Sequence, residues 1–110
     1  MEMIVPSRPS EWTFLTNHAH VLFCVAQDPE IRLRDVAEQV GITERAVQRI
    51  VTELEESGYI TRQRSGRRNM YVVHQQQPLR HRLEAHCHVR DLIALVVPER
   101  IISRPSSSSS

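Results

Sequence analysis

The stretch from Asp35 to Val73 constrains this fold more than any other part of the chain, because its apolar period changes from helical to alternating and a glycine stands at each change of direction. Val36, Ala37 and Val40 share one side of a short helix predicted over Arg34–Val40. Gly41 follows, and glycine tolerates the left-handed conformation that ends a helix in a tight turn. Ile42 packs after the turn, and Thr43 is an N-cap for the next helix. Within Glu44–Ser57, the residues Val47, Ile50, Val51 and Leu54 stand at i, i+3, i+4 and i+7, so they form one apolar stripe. Gly58 is the stop signal. Tyr59–Arg64 and Met70–His74 then read as two strands around a polar tip, Ser65-Gly66-Arg67-Arg68-Asn69.

The flanks complete the plan. Ser10 is a good N-cap, and Phe14, Leu15, His18, Val21, Leu22 and Val25 recur at helical spacing, which predicts a helix over Glu11–Gln27 ended by Asp28-Pro29. Ile31-Arg32-Leu33 reads as a short extended piece. After the hairpin, Gln75-Gln76-Gln77-Pro78 links to a predicted final helix, Leu79–Val97, stopped by Pro98. The expected class is mainly α with a small β-hairpin wing, a winged helix-turn-helix in the order α-β-α-α-β-β-α. Residues 10–97 form the domain, with 79–97 as its dimerisation helix. Residues 1–9 read as a flexible N-terminus, and residues 98–110, which end in five serines, as a disordered tail.

The run from Asp35 to Val73 resembles the winged helix-turn-helix of bacterial regulators of the MarR and ArsR type. The residues that carry the resemblance are Val36-Ala37, Val40-Gly41, Thr43, Val47, Leu54-Glu55, Gly58-Tyr59-Ile60 and Met70-Tyr71-Val72. The resemblance implies a DNA-binding transcriptional regulator whose dimers use their first and last helices. It departs from each group in one respect. A MarR protein has more helix after the wing. Many ArsR metal sensors carry a Cys-x-Cys box where this chain has Arg32 and Arg34, and cationic side chains cannot replace thiolate ligands.

Charge points the same way. The net charge is only +1, but all 14 basic residues are arginine. Arg62, Arg64, Arg67 and Arg68 lie between Ile60 and His74 with no acid among them. A guanidinium fork matches phosphate and guanine edges. On the helix Glu44–Ser57, the face opposite the apolar stripe carries Arg45, Gln48, Arg49 and Thr52, with Glu44 beside them. Arginine can bond guanine and glutamine can bond adenine, while Thr43 at the helix start can meet a phosphate. Glu53, Glu55 and Glu56 crowd the other end, so the helix should dock by its N-terminal half. The wing residues Arg64, Arg67, Arg68 and Asn69 should reach flanking phosphates or the minor groove.

The final helix turns apolar on every side at Leu92–Val97. That calls for a partner chain against Leu79, Leu83, Cys87, Leu92, Ile93, Leu95 and Val96, or else for packing on the chain's own first helix. His81, Glu84, His88 and Asp91 would share a face of that helix. They suit either zinc or a solvated surface, and no cofactor or metal is expected. Cys24 and Cys87 read as buried reduced thiols, with Cys87 beside His86 and Arg90 as a possible redox switch. No apolar run is long enough for a membrane span, and no phosphate loop, nucleophile elbow or triad is present, so an enzyme is not expected. The expectation is a cytoplasmic homodimer on double-stranded DNA, with the operator and any small-molecule effector open. A winged helix used for protein contact is the rival, and it would show apolar rather than cationic residues on the recognition face.

Overall fold

Thr16, rather than Ser10, starts the first helix in the computed structural model, which describes residues 12–98. Its hydroxyl accepts from the Ala19 amide at 3.3 Å, and α1 runs over Asn17–Gln27. Ser10 and Glu11 lie outside the described residues, as do residues 1–9 and 99–110 of the two terminal segments. Phe14, expected on the helix, precedes it and is almost fully exposed, with its ring set edge-on against Trp12 at 5.0 Å. Asp28 closes the helix through its amide to Cys24 O.

The chain then turns twice. Helix α2 spans Leu33–Val40 and α3 spans Glu44–Glu56. Between them Gly41 has φ +88°, and the amides of Gly41 and Ile42 both donate to Ala37 O at 2.8 and 3.1 Å. This double closure ends α2 and aims the chain into α3. Thr43 caps α3 by accepting from the Ala46 amide at 3.0 Å. Ile31-Arg32-Leu33 is no separate strand, since Leu33 already belongs to α2. The nearest equivalent is one residue pair earlier, where Pro29 O accepts from the Tyr71 amide at 2.8 Å and so touches the edge of the wing.

Strands β1 (Ile60–Ser65) and β2 (Arg68–Val73) pair antiparallel from Ile60 with Val73 to Ser65 with Arg68. The expected five-residue tip is tighter, because pairing continues until only Gly66 and Arg67 remain. Gly66 has φ +66° at the first central position, the place a type II′ turn reserves for glycine.

The largest departure lies after the wing. Only Val89–Val96 is helical, as α4, where Leu79–Val97 was expected. Residues 79–87 instead form a closed excursion. The Leu79 amide donates to Cys87 O at 3.0 Å and the Val89 amide to Gln77 O at 2.9 Å, which ties the two ends together. Inside it the Glu84 and Cys87 amides donate three residues back, to His81 O and Glu84 O, as turns do. The reason for a late start is local. His88 and Asp91 form a reciprocal capping box, so the helix nucleates there, and the excursion lets Leu79 and Val89 meet the same core.

That core is one cluster. Val21 and Val25 of α1, Val36 of α2, and Val47, Ile50 and Val51 of α3 are essentially sealed from solvent. Ile60, Tyr71, Val89, Ile93 and Val97 close it from the wing and α4. Each such aliphatic burial contributes about 1.5–3 kcal/mol. The α3 stripe is therefore what fixes the orientation of its outer face.

Candidate nucleic-acid interface

With Val47, Ile50, Val51 and Leu54 turned inward, α3 presents Glu44, Arg45, Gln48, Arg49 and Thr52 to solvent. Thr43 is exposed beside them, and its hydroxyl oxygen is engaged by the Ala46 amide, which leaves its proton to donate. The α2–Gly41–α3 pair thus holds a polar face on a buried anchor, with the helix N-terminus and its unpaired amides at the leading end.

Of the three acids at the other end, Glu53 and Glu55 are bound within the protein, while Glu56 is exposed. Glu53 Oε1 lies 2.6 Å from His18 Nε2 of α1, and Glu53 Oε2 lies 3.6 Å from Arg49 Nη1. The hydrogen bond to His18 is the chief cause that holds the Glu53 carboxyl below its ordinary range; loss of solvent opposes it, and the charges of Arg49 and His18 assist. Glu55 Oε1 accepts from Arg62 Nη2 at 3.0 Å, joining α3 to β1. Arg62 is consequently a strut between helix and wing. The pairings of Glu53 with His18 and of Glu55 with Arg62 are what sequence reasoning missed. The i, i+4 spacing of Arg49 and Glu53 was legible; the approach of His18 from 35 positions away was not.

The wing divides by face. Arg64 and Asn69 are cross-strand partners on the side that carries Ile60 and Tyr71 further in. Arg64 Nε donates to Gly66 O at 3.3 Å, which folds its guanidinium toward the tip. Arg67 sits in the turn and is exposed. Arg68 belongs to the opposite face and reaches Glu30 of the α1–α2 connection at 3.6 Å. Among the described residues, Arg45 and Arg67 make no ion pair.

The expected dimer residues separate as well. Ile93 is buried in its own chain's core, and Leu79 and Leu92 pack partly against that core. Leu83 (76% exposed), Leu95 (81%) and Val96 (41%) face outward, and Cys87 is half-buried. Leu92–Val97 is therefore two-sided and not buried all round. The single face proposed for His81, Glu84, His88 and Asp91 does not exist, since His81 and Glu84 lie in the excursion and His88 and Asp91 cap α4. Among the described residues no cluster of His, Cys, Asp or Glu is placed to hold a metal ion. Cys24 is buried with its thiol directed at Gln39 Oε1, 3.4 Å away, and burial raises its pKa. A cleft of about 760 Å³ separates α1, the end of α3 and the excursion, with His18, Glu53, Leu54, Tyr59, Leu79 and Leu92 on its walls. Among the described residues no helix is long and apolar enough to cross a membrane.

Two helices set by a glycine turn, an exposed cationic face on the second and an arginine-tipped hairpin define a winged helix-turn-helix. Residues 16–61 match the family model described as winged helix-turn-helix DNA-binding. Among solved structures, the chain is similar to a MarR family protein of Mycobacterium tuberculosis in complex with salicylic acid, at 20% identity and a TM-score of 0.49. That similarity covers 74% of this chain and 54% of the other, so the chain spans about half of that protein's length. No curated protein matches the chain significantly.

Proposed function

We propose that the chain is a sequence-specific regulator of transcription that binds double-stranded DNA as a homodimer on a pseudo-palindromic site. The observation that carries this reading is the asymmetry of α3. Its first half is exposed and cationic, while Glu53 and Glu55 in its second half are held by His18, Arg49 and Arg62. A helix that inserts its leading end into the major groove needs this arrangement, because acids near phosphate repel it. Arg45, Gln48 and Arg49 read base edges, with Glu44 and Thr52 beside them, and Thr43 meets a phosphate. Arg64, Arg67, Arg68 and Asn69 supply the wing contacts. The outward apolar residues Leu83, Leu95 and Val96, with half-buried Cys87, support a second copy at the α4 end.

Selection of bound duplexes from a random pool, followed by mobility shifts over a salt series, tests the reading. Enrichment of a two-fold-related motif and a linear fall of log affinity with log salt are expected. Absence of salt-sensitive binding to any duplex would sink it. Light scattering tests the dimer, and a clean monomer at working concentration would remove the paired half-sites.

A further inference from the structure

Glu53 stands where the reading face of α3 meets α1, and its two oxygens serve different neighbours. Oε1 is hydrogen-bonded to His18 at 2.6 Å, and Oε2 faces the Arg49 guanidinium at 3.6 Å. His18 belongs to a helix anchored by Val21 to Val25, which are buried in the core. An exposed i, i+4 pair by itself constrains two long side chains weakly. Here the carboxylate is also hydrogen-bonded to a second helix, which restrains it more than the pair alone would.

We infer that Glu53 is a positioning residue for Arg49: pinned through Oε1 by His18, it presents Oε2 to the guanidinium and limits the directions from which Arg49 meets a base. The inference rests on the proposed reading of Arg49 as a base contact. Its signature is a pair of opposite effects. A carboxylate close to phosphate weakens binding to every sequence, whereas a pre-organised arginine sharpens the choice of base. Loss of Glu53 should tighten non-specific binding and blunt discrimination together. A residue that only supports the fold would move both in the same direction.

The test uses the full chain and its selected duplex. Arg49→Ala first identifies the base pair whose substitution no longer matters. Discrimination at that pair and affinity for random duplex are then measured for Glu53→Ala, Glu53→Gln and His18→Gln. Glu53→Ala should lose about threefold in discrimination and gain about twofold on random duplex, with Glu53→Gln intermediate. His18→Gln keeps a donor for Oε1 and should retain discrimination. Circular dichroism identifies any variant that fails to fold, and the conservative Glu53→Gln then carries the comparison. Unchanged discrimination in a folded Glu53 variant overturns the inference, as does a parallel loss of both affinities. A wild-type protein that binds no duplex would instead overturn the regulator reading beneath it.

Discussion

Helix α3 and the segment from Leu79 to Val97 carry similar apolar spacing, yet only α3 is helical over its predicted length, short of Ser57 alone. Periodicity states which residues would share a face if the segment were helical. It does not state where a helix begins. Around α3 both ends are marked: Thr43 satisfies the Ala46 amide, and the Tyr59 amide returns to Leu54 O at 2.9 Å across Gly58. The later segment has its cap inside it, at His88 and Asp91, and histidine is not among the residues that advertise a cap. The two regions also differ in what their apolar residues do. Those of α3 are all consumed by the core; those of α4 are divided between core and surface.

The widest expected gap follows from that division. Ile50→Ala, inside the α3 stripe and 2% exposed, should cost about 2–5 kcal/mol in urea unfolding. Leu95→Ala, on the outer side of α4, should stay within about 0.5 kcal/mol for the isolated chain. If Leu95→Ala instead lowers stability in a manner that depends on protein concentration, it lies in the dimer contact, and the comparison is sharpened rather than broken. Equal, concentration-independent costs at both positions would break it.

DNA binding should show a matching contrast. Arg67→Ala with Arg68→Ala should weaken binding to all sequences and flatten the salt slope. Among single changes, Arg67→Ala should have the larger effect, because Arg68 is partly engaged by Glu30. A double variant with unaltered affinity would remove the wing from the mechanism.

The turn and caps come next in size. Gly41→Ala forces a left-handed φ of +88° on a residue with a Cβ, and should cost about 1 kcal/mol although the space around it is open. Thr43→Ala should also cost about 1 kcal/mol. Asp91→Ala removes only half of a box at an exposed helix start, and about 0.5 kcal/mol is expected. A larger cost at Asp91 than at Thr43, read by the same denaturation assay, would mean that the α4 cap holds the whole excursion in place.

These sizes track what was readable in advance. The helices α2 and α3, their glycine turn and the hairpin could be read because each is specified within a few residues: stripe, cap, stop and alternation. The outward set Arg45, Gln48, Arg49 and Thr52 followed from the stripe alone, since an anchored helix leaves only one face. The late start of α1 at Thr16 was obscured by Ser10, an equally good cap residue in sequence, and by Phe14 and Leu15, whose spacing continues the helix pattern backward. The pairing of Glu53 with His18 and of Glu55 with Arg62 could not be read, because those contacts exist only once α1 and the wing have packed on α3. They change the meaning of the acidic end, from a repulsive surplus into the fastenings of the reading helix.

The smallest effect concerns one of those fastenings and isolates its electrostatic part. The Glu53 carboxyl titrates below its ordinary value of 4.5 chiefly because His18 hydrogen-bonds its ionised form. A carboxyl whose folded value is depressed contributes stability that is fully present above its unfolded value and is lost as pH falls through the folded one. Wild type should therefore unfold at a slightly higher temperature than Glu53→Gln near neutrality, and the difference should close as pH falls below the ordinary carboxylate range. Because both side chains are more than two-fifths exposed, solvent screening keeps the difference small, and added salt should shrink it further. Val51→Ala measured over the same pH range supplies the reference, since an apolar deletion in the α3 anchor has no reason to vary with carboxylate ionisation. A Glu53→Gln difference that persisted unchanged into acid would mean that this contact joins α1 to α3 by shape alone, and the acidic half of α3 would then be fastened no differently from its apolar stripe.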